Sequence, residues 1–243
     1  MKAVILAAGA STRMRDVTRD RPKCLLDVGG VPILRRMLDH LAACGVGEVT
    51  IVAGFGESHM RSALAAWGVG PRVVVNDQYD RTNNAFSLLQ ARPSIEGDPF
   101  VLLDADVVFE RSVLGRLLAS PHANRLALRP TVDLGEEEVK CRVDAGGRVV
   151  EISKSVPVAA SAGESMGIQC FDGPTSARLF TVLSRRMSDA AMHGEYYEST
   201  LQELIDIGTP VHAVSMGHLL CVEIDTPADL AAAESLFWRA DFN

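Results

Sequence analysis

No run of about 18 or more uncharged apolar residues occurs in the sequence, so no segment has the length that a membrane-spanning helix needs. The opening MKAVILAAGAST lacks the basic flank and length of a secretion signal, and a cytoplasmic location is expected. Cysteine is sparse: Cys24, Cys44, Cys141, Cys170 and Cys221 stand singly, with no CxxC pair and an odd total. That argues against a disulfide framework or a zinc knuckle and predicts reduced thiols in or near the core. Positive charge is also in deficit, with a formal net charge of -7. Nucleic acid and anionic membranes are excluded as partners, because counterion release needs clustered Lys and Arg.

Two glycine signatures are missing as well. The GxxxxGK[ST] spacing of a P-loop is absent, and Gly9 has no second and third glycine to complete a GxGxxG dinucleotide fingerprint. The six histidines, His40, His59, His122, His193, His212 and His218, show no metal-ligand spacing and no nucleophile-His-Asp arrangement.

What the chain does have is apolar material, 47% of 243 residues, enough for one core without metals or disulfides. A single domain over 1–243 is expected. Lys2–Ala7 reads as a buried strand, and Pro32–Cys44 as a helix with apolar Ile33, Leu34, Met37, Leu38 and Leu41 at helical spacing and Gly45 at its end. Glu48–Ala53 reads as the next strand. Further strands at Arg72–Val75 and Phe100–Leu103, with helices at Glu57–Trp67 and after Asn84, continue the crossover pattern. The fold class is α/β, a Rossmann-like, mostly parallel sheet flanked by helices, with an inserted β-rich subregion. In that subregion, Val139–Asp144 and Arg148–Ser153 form a hairpin around Gly146-Gly147. Residues of about 1–125 and 210–243 form the core and about 126–209 the second half, with Leu219–Ile224 as a late strand returning to the main sheet.

Four strings carry chemistry. Leu6-Ala7-Ala8-Gly9, straight after a strand, offers backbone N–H groups to phosphate oxygens, and Arg13 and Lys23 bring the cations that a polyphosphate requires. Asp104-Ala105-Asp106 ends an apolar strand at the ligand edge of the sheet. Asp106 suits Mg²⁺, a hard ion that prefers one or two carboxylates, and Asp104 points the same way and supports the site or accepts a hydrogen bond. Asp225-Thr226-Pro227 follows another strand, where Asp225 or Thr226 could serve only as a helix cap. Asn76 to Leu88 is a cluster of amides and hydroxyls, by itself a loop and helix cap.

The first string, with Pro22-Lys23-Cys24-Leu25-Leu26-Asp27-Val28-Gly29-Gly30-Val31-Pro32-Ile33-Leu34 behind it, resembles LAAGxxxR followed by PKxLxxVxGxPxL, the signature of small nucleotidyltransferases that activate sugars and small alcohols. The Asn76–Leu88 string is similar to NxxYxxxNNxxSL of bacterial phosphocholine and phosphonate cytidylyltransferases. The resemblance implies transfer of CMP from CTP, with Mg²⁺, to a small phosphonate or phosphate monoester and release of pyrophosphate. It makes Asp225 the second metal ligand beside Asp106 and makes Asn83, Asn84 and Ser87 base and ribose contacts. It also makes Lys154 the lysine that meets the acceptor, and the 126–209 half the acceptor-binding one. A monomer or homodimer is expected. A phosphate monoester, with a second pKa near 6, is already ionised at neutral pH and needs no general base.

For the acceptor, aromatics at only 5% of residues argue against a choline box. Lys140 and Arg142 alternate onto one strand face and would form a cationic wall with Lys154 if that face looks inward, favouring a carboxylated, phosphonoformate-like acceptor. If Glu138, Glu195 or Glu198 lines the pocket beside Tyr197, an amine such as 2-aminoethylphosphonate fits better. Rival readings are a phosphocholine cytidylyltransferase, a sugar-1-phosphate nucleotidyltransferase and a nucleotide-binding regulator without turnover.

Overall fold

A computed structural model describes residues 1–130 and 134–237. In chain order, β1 (Lys2–Ala7) leads through a loop and a short α1 (Arg15–Thr18) to the two-residue strands β2 (Asp27–Val28) and β3 (Val31–Pro32). Then come α2 (Ile33–Ala43), β4 (Glu48–Ala53), α3 (Glu57–Ala66), β5 (Arg72–Val75), α4 (Asn84–Gln90), α5 (Arg92–Ile95), β6 (Phe100–Asp104), β7 (Val107–Phe109) and α6 (Arg111–Ala119). The later elements are β8 (Arg125–Arg129), β9 (Lys140–Val143), β10 (Val149–Ser153), β11 (Gly163–Phe171), α7 (Gly173–Met187), α8 (Tyr197–Asp206), β12 (His212–Ser215), β13 (Cys221–Glu223) and α9 (Pro227–Phe237).

The strands β5, β4, β1 and β6 lie side by side and parallel, which is what the strand-helix-strand alternation requires. Both faces of β1 are covered: Ala3, Ile5 and Ala7 enter one apolar cluster with α2, α3 and α6, and Val4 and Leu6 enter the other with α4, α7 and α8. A strand buried on both sides reads as an unbroken apolar run rather than an alternating one. In α2, Ile33, Leu34 and Leu41 are fully buried, each contributing roughly 1.5–3 kcal/mol of burial energy. All five cysteines are free thiols, four of them buried, as their scattered positions predicted.

The β-rich half joins the same sheet through β11. This strand runs antiparallel to β8 along one edge, while on its other edge its partner changes from β9, at Gly163 and Glu164, to β6, at Ile168–Phe171. The register with β8 shifts between Ser165 and Gln169, around Gly167 at φ +64°. The sheet therefore forks at Gly167, and the hairpin β9–β10 diverges from the tip of β6. A Cβ on Gly167 would lie 2.6 Å from Asp104 Oδ2, so both the left-handed backbone and the close approach require glycine.

Two strand placements depart from the sequence reading. The late strand is β13, and it pairs only with β7 in a separate two-stranded ribbon rather than returning to the main sheet. The strand that does join the main sheet is β12, parallel to β8, so the 126–209 half and the last segment share strand pairing. Among the described residues no helix is long and apolar enough to cross a membrane.

Candidate active site

The carboxyl ends of β1 and β6, the β7–β13 ribbon and the fork at Gly167 enclose a cavity of about 480 Å³. Leu6, Ala8 and Gly9 line it from β1 and its loop, and a Cβ built on Gly9 meets nothing within 4 Å. Ala7 is buried in the adjoining core. The loop is braced from behind, because Phe55 N donates to Ala8 O at 3.1 Å and Ala105 N donates to Leu6 O at 3.1 Å.

Antiparallel pairing sets Glu223 opposite Val107, next to Asp106, and Ile224 N donates to Asp106 O at 2.9 Å. Asp225 follows. Its role as a cap is taken by its neighbours: Asp229 Oδ2 accepts from the backbone N–H of Thr226 at 2.7 Å, and Thr226 Oγ1 accepts from Asp229 N at 3.3 Å. This reciprocal capping box starts α9 and leaves the Asp225 carboxylate facing the cavity. Carboxylate oxygens of Asp106, Glu223 and Asp225 lie within 4.8 Å of one another. Glu223 was not singled out from sequence, although it stands two residues before Asp225 in the same strand string, the spacing that puts side chains on one face.

Cations face this cluster. Lys23 Nζ lies 2.8 Å from Asp106 Oδ2 and 2.9 Å from Asp225 Oδ1, and Arg13 donates to Asp225 Oδ2 at 2.7 Å. Burial opposes the Lys23 charge, but Asp106 and Asp225 outweigh it and raise its pKa. Burial likewise opposes ionisation of Asp225, yet Lys23 and Arg13 hold its carboxyl below the usual range. Glu223 is pushed up to about 8 by burial and by the charges of Asp106 and Asp225. Three crowded carboxylates, two of them paired with the Lys23 ammonium, form an oxygen-only donor set that fits a hard divalent cation, and Lys23 marks where positive charge is stabilised.

Asn83, Asn84 and Ser87 line the cavity at the start of α4. The Asn83 side chain caps that helix through Asn84 N at 2.8 Å and also donates to Gly194 O at 3.3 Å. Ser87 accepts from Asn76 Nδ2 at 3.1 Å. Asn84 Oδ1 accepts from Tyr197 N at 2.8 Å, tying α4 to the first residue of α8. Asp104 takes the Tyr197 hydroxyl at 2.8 Å, and burial, then Glu198 and Asp106, raise its pKa well above the usual range. Tyr197 is buried and acts from behind Asp104 rather than lining the cavity.

In the β-rich half, Lys154 and Glu198 line the cavity with Tyr196, Glu137, Glu138 and Glu164. Lys154 Nζ sits 3.2 Å from Glu137 Oε2 and 5.2 Å from the Tyr196 ring centroid. The cationic wall does not form. Lys140 is 2% exposed and donates to the carbonyls of Gly135 and Glu138, because the 135–138 segment folds over it. Arg142 is exposed and pairs with Glu151 across the hairpin at 3.1 Å. Glu195 also lies off the cavity, bound by the Arg186 guanidinium at 2.6 and 2.7 Å. One cation of this half was missed: Arg129 at the end of β8 lines the cavity and pairs with Glu164 across to β11.

Residues 3–234 match the family described as the MobA-like NTP transferase domain. The chain is 41% identical over 150 residues to the CMP-5'-(3-aminopropyl)phosphonate synthase of Streptomyces rubellomurinus, a match over 60% of this chain and 23% of that protein. It is 25% identical over 235 residues to the 2-aminoethylphosphonate cytidylyltransferase of Lancefieldella rimae, covering 95% of this chain and 90% of the relative. The solved inositol-1-phosphate CTP transferase from T. maritima superposes with a TM-score of 0.81 at 26% identity, covering 98% of this chain and 96% of that one. Several curated relatives are much longer than the part matched, the chain spanning 23% to 44% of their length.

Proposed function

The chain belongs to the MobA-like NTP transferase domain family, and from this together with its cytidylyltransferase relatives we infer a CTP-dependent cytidylyltransferase that moves CMP onto a small phosphonate or phosphate monoester. One observation carries the reading: the Asp106, Glu223 and Asp225 carboxylates gather within 4.8 Å of one another at strand tips, opposite a glycine turn and two cations. The relatives named for phosphonates support an acceptor of that class. Acceptors of this class differ at the far end, an amine in 2-aminoethylphosphonate and a carboxylate in phosphonoformate.

Asp106, Glu223 and Asp225 would hold Mg²⁺, which when bound neutralises charge on the triphosphate. The Leu6–Gly9 turn supplies backbone N–H groups to phosphate oxygens. Arg13 and Lys23, freed from the carboxylates, hold the β and γ phosphates, so that charge leaving with pyrophosphate is met by fixed cations. Asn83, Asn84 and Ser87 face the base and ribose. Lys154 orients the acceptor's ionised oxygen for in-line attack on the α-phosphorus; the new P–O bond forms as the bond to pyrophosphate breaks. No side chain has to remove a proton, in keeping with an acceptor that is already ionised at neutral pH.

The test is incubation with Mg²⁺, each of CTP, UTP and dTTP, and a set of phosphonates, phosphocholine and sugar 1-phosphates, with adducts read by mass and pyrophosphate measured in parallel. A CMP-phosphonate formed in step with pyrophosphate is the expected product. A UDP- or dTDP-sugar as the main product would instead establish the sugar-activating reading, and release of no pyrophosphate with any pair would leave a binding protein without turnover.

A further inference from the structure

The part of the cavity wall that the β-rich half supplies is anionic. From the β-rich half it receives Glu137, Glu138, Glu164 and Glu198 against two cations, Arg129 and Lys154. Arg129 is already paired with Glu164. Lys154 is shared between Glu137 and the Tyr196 ring. A ligand that enters this wall therefore meets an excess of carboxylate.

Acidic residues alone would say little, but two buried groups here lack partners. Among the described residues, Oε2 of Glu198, which is 9% exposed, has no hydrogen-bond partner, and neither has the hydroxyl of Ser165, 8% exposed, which lines the same cavity from β11. Native proteins seldom leave buried polar atoms unmatched, and one that remains beside a cavity is open to a partner from outside the chain. The position of Glu198 is fixed from two sides. It stands at the second residue of α8, whose first residue is held by Asn84 through the backbone and by Asp104 through the phenol. Burial raises the Glu198 carboxyl to about 7 against the opposing pull of its own backbone N–H, the Tyr197 hydroxyl and Lys154.

Resting on the cytidylyltransferase reading above, we propose that Glu198 is a specificity-determining residue that receives a protonated amine at the far end of the acceptor, with Ser165 as an accessory acceptor of the same ammonium. Lys154 then serves the phosphonyl end, and the acceptor is a short zwitterion whose two charges are read by two fixed groups of opposite sign. A carboxylate at the far end meets four glutamates and is rejected. A hydroxyl fits the space but leaves the Glu198 charge unmatched, and it binds weakly.

The experiment compares kcat/KM for three probes of equal chain length, 2-aminoethylphosphonate, 2-hydroxyethylphosphonate and phosphonoacetate, in the wild-type protein and in Glu198→Gln, with CTP and Mg²⁺ saturating. The wild type should favour the amine over the hydroxyl by about tenfold or more, as expected of a charge-assisted hydrogen bond in a buried site. Glu198→Gln should lose that preference through the KM for the amine while its rate with the hydroxyl analogue stays within about threefold. A shift in melting temperature on adding CTP and Mg²⁺ checks that the variant still folds and binds nucleotide. If it does not fold, the wild-type ranking decides, and N-acetylation of the amine must then abolish its advantage. Equal use of amine and hydroxyl, a preference for phosphonoacetate, or an amine preference that survives Glu198→Gln overturns the assignment but leaves the cytidylyltransferase intact. No adduct with any phosphonate or phosphate overturns both.

Discussion

The tips of the parallel strands and the fork at Gly167 build two parts of one cavity by different means. At the tips, Gly9 follows β1, Asp106 sits in the turn after β6, and Glu223 and Asp225 come from β13 and the turn beyond, while Arg13 and Lys23 stand in short turns between β1 and β2. At the fork, the groups come from separate elements joined by non-local contacts: Arg129 from β8, Glu164 and Ser165 from β11, Lys154 from beyond β10, and Tyr196 and Glu198 from the start of α8. Parallel strands place their carboxyl ends together, which sets Gly9 near Asp106, and the antiparallel β7–β13 ribbon adds Glu223 and Asp225. The second depends on which residues cover which.

The comparison is broken most severely at the tips. Asp106→Ala or Asp225→Ala should lower turnover by well over about 100-fold, the scale of losing a metal clamp, with circular dichroism unchanged. Near-normal rates in both variants would detach the metal from these residues. Gly167→Ala strikes the fork itself. A methyl 2.6 Å from Asp104 Oδ2 on a backbone at φ +64° should cost on the order of 1–3 kcal/mol of stability, visible in chemical denaturation, and reduce use of nucleotide and acceptor together. Lys154→Ala should separate the two parts, raising the acceptor KM about tenfold while CTP binding stays within about twofold. An effect confined to CTP would move Lys154 to the nucleotide side.

The smallest effect expected is a pH slope. A carboxyl raised from the usual range to about 7 binds its proton more tightly in the folded state, so Glu198 stabilises the fold fully below about pH 4.5 and loses that contribution as pH rises toward 7. One group can give at most about 1.4 kcal/mol per pH unit. Unfolding by urea between pH 5 and 8 should show a shallower decline for Glu198→Gln than for the wild type; parallel lines would mean that Glu198 is compensated within the protein.

The two parts were unequally legible in the sequence. Gly9, Arg13, Asp106 and Asp225 lie in short strings after apolar strands and line one cavity, and Lys23, further along the first string, reaches it through ion pairs with Asp106 and Asp225. Strand alternation told correctly that Lys140 and Arg142 share a face, but it carries no information about what lies over that face. The 135–138 segment covers Lys140 and the hairpin partner Glu151 takes Arg142. The same gap hid Arg129, whose role comes from pairing between β8 and β11 at a separation of 35 residues. The sequence places a late strand at Leu219–Ile224 but carries no sign of its partner, and the antiparallel ribbon that β13 forms with β7 is what carries Glu223 beside Asp106.

Titration with Mn²⁺, followed by electron paramagnetic resonance in the presence of CTP, tests the shared carboxylate site most directly. The wild type should bind one ion per chain, Asp106→Ala and Asp225→Ala should each weaken it by at least about tenfold, and added Mg²⁺ should displace it. Equal Mn²⁺ affinity in the wild type and both variants would contradict the account.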